Sequence, residues 1–71
     1  MLETIRSIIC AYVDVAPEAV TPEASLRNDL GASSFDLMNV AVAIEEKFGI
    51  SIPNSKLTVV KTVGDIMALL A

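Results

Sequence analysis

An all-α fold is what the sequence predicts, and three observations carry the prediction. The chain has 71 residues, a length at which only roughly 60% of the unfolded surface is buried, so the core has to come from elements that fold locally. Its 54% of hydrophobic residues include two Phe, one Tyr and no Trp, which leaves Leu, Ile, Val and Ala to fill the interior and favours packed helices over an aromatic-rich sheet. Apolar residues also recur three and four apart in separate stretches, the spacing of one helix face. Residues 1–71 read as a single domain.

Leu2, Ile5, Ile9, Tyr12 and Val13 form the first such stripe and predict an amphipathic helix over roughly residues 2 to 14. Cys10 lies off its centre and reads as a small flanking residue rather than a redox group. From Val15 to Ala32 the periodicity fails, and Pro17, Pro22, Asn28 and Gly31 punctuate a long connection. A loop of that length in so small a domain is either functional or anchored by its own apolar residues, for which Val20, Leu26 and Leu30 are the candidates.

The second helix opens at Ser33 or Ser34, because serine is a favoured N-cap and Asp36 places a carboxylate in the first turn. Gly49 after Phe48 signals its end. Ile50 to Pro53 is extended, since the residue before a proline is pushed out of the helical region. A short helical turn follows near Ser55 to Val59. Thr62 caps a last helix, with Asp65 three residues on and Val63, Ile66, Met67, Leu69 and Leu70 as its apolar faces.

At 100° per residue the second helix carries two apolar stripes. Leu37, Val40, Ala41, Ile44 and Phe48 make the wider one and face the core. Phe35, Met38 and Val42 lie on a different face, margined by Asn39, Glu45 and Glu46. Burial on both sides is hard in so small a domain, so the second stripe reads as a docking surface for a partner protein; the other reading folds Phe35 back over the long loop.

Nine acidic and five basic residues give a net charge of −4, with Arg6, Arg27, Lys47, Lys56 and Lys61 scattered along the chain. That balance argues against nucleic acid and suits either solubility or an encounter with basic protein surfaces. One cysteine allows no intrachain disulfide, and the apolar run from Ile8 to Val13 is too short to span a bilayer. A cytoplasmic monomer is expected. With no histidine, no paired cysteines and no glycine-rich phosphate loop, neither a metal site nor enzymatic activity is expected.

The run Asp29-Leu30-Gly31-Ala32-Ser33-Ser34-Phe35-Asp36 resembles the attachment site of the acyl carrier proteins. Glu45 to Pro53 resembles that family's acidic helix end, and Thr62-Val63-Gly64-Asp65-Ile66 the start of its last helix. The resemblance covers essentially the whole chain and implies a small four-helix bundle, with three main helices, one short helix and a long loop between the first two. It further implies that Ser34 carries a 4′-phosphopantetheine arm donated by coenzyme A through a phosphopantetheinyl transferase. The arm's thiol would hold acyl groups as thioesters for fatty acid, polyketide or related specialised biosynthesis. The implied partners are that transferase and acyl-activating, condensing or acyl-transferring enzymes, meeting Phe35, Asp36, Met38, Asn39, Val42, Glu45 and Glu46.

On its own, Ser34 would read as a plain N-cap; the surrounding pattern makes it the attachment serine, ahead of Ser33. Ser33 stands where most of the family has aspartate, and Asn39 where an acid is common. Both departures point to specialised partners. The alternatives are an interaction module that keeps the fold without the arm, and a carrier of amino-acyl or peptidyl groups. Ala41, Ala43 and Met67 hint at room for cargo inside the bundle.

Overall fold

The computed structural model describes residues 1–70. It contains four α-helices, α1 (Leu2–Tyr12), α2 (Ser34–Phe48), α3 (Asn54–Leu57) and α4 (Val63–Leu70), plus a 3₁₀ turn at Pro17–Ala19. The expected architecture of three main helices and one short one holds. α1 stops two residues early, because Val13 is extended at φ −121°, ψ 130°. The 3₁₀ turn has no counterpart in the apolar periodicity; Pro17 at its first position supplies a φ suited to a helical start. α3 begins one residue before the expected turn, directly after Pro53.

α1 packs against α2 and α4. The core joins Ile5 and Ile9 of α1, Val40 and Ile44 of α2, and Val63 and Ile66 of α4. Val20, Leu26 and Leu30 of the long loop are buried in the same cluster, so the loop is a packed layer of the domain. Cys10 is half-buried against that cluster, its Sγ 3.8 Å from the Val15 carbonyl oxygen.

Hydrogen bonds fix the loop at both ends. The Arg6 guanidinium donates to the carbonyl oxygens of Pro17 and Val20, each at 2.9 Å, and also pairs with Glu3. Near the other end, Ser25 and Thr62 form an isolated antiparallel bridge. Leu26 N–H donates to Lys61 O at 2.9 Å and Gly64 N–H to Pro22 O at 2.8 Å. The sequence pattern contains no trace of the contacts at this second end, since they join residues 35 or more apart.

Gly64 makes the last of them possible. A Cβ at this position would lie 2.9 Å from the Pro22 carbonyl oxygen, closer than real Cβ atoms come, and the obstacle is backbone that cannot swing aside. Gly64→Ala should therefore push α4 off the loop and lower stability by about 1–3 kcal/mol, read as a lower urea midpoint.

Thr62 caps α4 as expected. Its Oγ1 accepts from Asp65 N–H at 3.1 Å, and Asp65 Oδ2 accepts from the N–H groups of Lys61 at 2.9 Å and Thr62 at 3.1 Å. These backbone donors, Lys61 first, hold the Asp65 carboxyl below its ordinary value of 3.8. A lowered native value means that the stabilisation is fully present above the unfolded-state value and is lost as pH falls through the native one. Acid titration of stability should accordingly show a shallower loss below about pH 4 in Asp65→Asn than in the parent chain.

Candidate functional site

α2 begins where the sequence signals placed it. Ser33 is the N-cap: its Oγ accepts from Asp36 N–H at 3.1 Å, and Asp36 Oδ2 accepts from Ser33 N–H at 3.0 Å, a reciprocal pair that satisfies two donors at the helix start. The aspartate that the family pattern expects at this position would cap in the same way, so its replacement by serine leaves the helix start intact and removes one negative charge. Because Ser33 takes the cap, Ser34 is the first helical residue and its hydroxyl is left free of that duty.

Ser34 is exposed. The hydrogen bond found at its Oγ comes from Arg27, whose Nη2 donates at 2.7 Å. Arg27 stands in the turn between Leu26 and Asp29, which is held by Ser25 N–H donating to Asp29 Oδ2 at 2.7 Å and by Ala32 N–H donating to Leu26 O at 2.8 Å. Gly31, at φ 70°, supplies the left-handed residue that turns the chain into α2. In the sequence Arg27 is one of five scattered cations, and seven residues from Ser34 it carries no signal that would place it at the site.

The second apolar stripe of α2 is at the surface. Phe35 is 72% exposed, Met38 61% and Val42 53%, so Phe35 does not fold back over the loop. Asp36 and Asn39 are partly exposed beside them and Glu46 is exposed. Glu45 is turned elsewhere: its Oε2 accepts from Ile52 N–H at 2.6 Å, tying the end of α2 to the extended segment after it. Phe35, Met38, Asn39, Val42 and Glu46 thus lie along one face of α2, while the Asp36 carboxylate is turned back to the Ser33 cap.

Between α2 and α3 a groove of about 430 Å³ opens beside Ser34, lined by Arg27, Met38, Asn54, Leu57 and Thr58. An exposed hydroxyl next to a cation, opening onto a partly apolar groove, fits a phosphate-linked flexible arm in both charge and shape. The interior is different. The void among Leu37, Val40, Ala41, Ile44 and Leu69 is about 20 Å³, room for about one water. Ala41 borders it, whereas Ala43 faces the opposite side of α2, toward α1; cargo would enter only if these side chains separated. Among the described residues, no helix is long and apolar enough to cross a membrane and no cluster of metal-ligating residues occurs.

A four-helix bundle with an exposed serine at the start of its second helix is the arrangement expected of a carrier domain, and comparison with known proteins shows the family. Residues 3–70 match the family model described as the phosphopantetheine attachment site. The chain is 40% identical over 67 residues to an acyl carrier protein of Thermosynechococcus vestitus, covering 94% of this chain and 83% of the relative. It is 43% identical over 65 residues to one of Caulobacter vibrioides, covering 92% and 83%. Among solved structures it is similar to a candidate acyl carrier protein from Mycobacterium tuberculosis, with a TM-score of 0.86 and 29% identity over 93% of this chain and 88% of the other. It is also similar to the acyl carrier protein of Enterococcus faecalis, with a TM-score of 0.80 and 26% identity over 97% and 87%. The chain belongs to the phosphopantetheine-binding acyl carrier family, and its function is that of an acyl carrier with a covalent 4′-phosphopantetheine.

Proposed function

We propose that Ser34 is the residue that receives the arm, from coenzyme A by way of a phosphopantetheinyl transferase. The observation that carries this reading is the division of labour at the start of α2: Ser33 caps the helix, while Ser34 presents an exposed Oγ to the groove. The bound group supplies a terminal thiol that holds the acyl cargo as a thioester. The protein's own residues do the rest: Ser34 anchors, Arg27 contacts the anchor, and the helix bundle presents both.

Phe35, Met38 and Val42, with Asp36, Asn39 and Glu46 at the margins, form the face that acyl-activating, condensing and acyl-transferring enzymes meet. Glu45 contributes from the far end, with one carboxylate oxygen committed to Ile52. A surface with three exposed apolar side chains and few acids favours partners that offer an apolar pocket over strongly basic ones. The chain works as a monomeric cytoplasmic carrier and catalyses nothing itself. Its pathway is fatty acid, polyketide or a related specialised biosynthesis.

Intact mass after incubation with coenzyme A and a broad-specificity transferase tests the reading, with gain of one phosphopantetheine expected. A folded chain that gains none under those conditions would instead be an interaction module working through Phe35 and Met38.

A further inference from the structure

We propose that Arg27 is the phosphate-pairing residue of the loaded carrier, an inference that rests on Ser34 being the attachment site. Its Nη2 already donates to Ser34 Oγ at 2.7 Å. Once that oxygen is esterified it becomes part of a phosphodiester, and the charged oxygens on phosphorus lie two bonds beyond it. The same guanidinium carries further N–H groups in a planar fork that suits phosphate.

Two features make the contact more than a passing surface encounter. The turn that carries Arg27 is pinned on both sides, by buried Leu26 with its N–H on Lys61 O and by Asp29 with its carboxylate on Ser25 N–H. Neighbouring acids are also committed to backbone donors: Asp29 to Ser25 and Asp36 to Ser33. Among the described residues the ion pair formed is Arg6 with Glu3, so the charge of Arg27 has no carboxylate partner. A monoanionic phosphodiester on Ser34 would supply the missing counter-charge, beside the groove that Arg27 and Ser34 both line.

The chain has two arginines, Arg6 and Arg27, which makes the test direct. Two arginine Nε–H signals are followed by nuclear magnetic resonance in the ¹⁵N-labelled protein before and after loading with coenzyme A and a transferase, assigned by Arg27→Lys in the unloaded form. The Arg27 signal is expected to shift on loading and to exchange with water severalfold more slowly. Arg6, held by the Pro17 and Val20 carbonyls, stays in place. Raising salt to about 1 M, where the screening length falls to roughly 3 Å, should return the Arg27 signal toward its unloaded position. An Arg27 signal unchanged in a protein whose mass shows full loading at Ser34 overturns the pairing alone. A protein that gains no arm, or gains it elsewhere, overturns the Ser34 reading and the pairing with it, and the mass spectrum distinguishes the two failures.

Discussion

Ser34→Ala is expected to fold like the parent and to gain no phosphopantetheine, while Ser33→Ala is less stable and still gains one. The two serines are adjacent in sequence and their roles at the helix start are separate. Ser34 is exposed, and its Oγ contacts a surface arginine. Alanine is also the best helix former at a helical position, so its removal should change stability by no more than about 0.5 kcal/mol. Ser33 Oγ accepts the Asp36 N–H, and losing such a cap costs about 0.5–2 kcal/mol. Chemical denaturation and intact mass, measured on both variants, should give opposite patterns. Loading of Ser34→Ala to the parent's extent would show that the arm sits elsewhere.

Ile44→Ala is expected to have the largest effect on stability. Ile44 is 1% exposed at the middle of the α2 core stripe and borders the small void shared with Leu37, Val40 and Leu69. Truncation would join the lost side-chain volume to that void, and buried Ile→Ala changes cost about 2–5 kcal/mol, more where the cavity cannot collapse. At 0.05–0.15 kcal/mol per residue a chain of this length has roughly 4–11 kcal/mol in all, so the variant should be partly unfolded at moderate temperature or in low urea. Val42→Ala, two residues away on the exposed stripe, should stay within about 0.5 kcal/mol of the parent. If both variants unfolded at the same urea concentration, the assignment of the two α2 faces would be wrong.

Much of this was legible in the sequence because helices are local. The periodicity of Leu37, Val40, Ala41 and Ile44 marks the buried face of α2, and the second stripe of Phe35, Met38 and Val42 lies on the surface. Thr62 and Asp65 cap α4 as their three-residue spacing predicts, and of the two serines that could open α2 it is Ser33 that takes the cap, paired with Asp36. Glu45 is where the reading was incomplete: its place on the helical wheel marks it as a margin of the exposed stripe, yet its carboxylate accepts from Ile52 N–H. A helical wheel records direction from the helix axis and says nothing about what the following segment brings back against it.

Fold class and helix positions follow from patterns within a few residues, where spacing and capping chemistry dictate geometry, and the candidate serine from the resemblance of the run around it to a family's attachment site. The contacts that complete the site belong to the tertiary structure: Arg27 beside Ser34, Arg6 clasping the loop, and Gly64 giving way to the Pro22 carbonyl. Each joins residues separated by a turn, a loop or most of the chain. Such distances close only when the apolar residues of α1, α2, α4 and the loop are buried together, and the polar groups they carry then meet as a consequence.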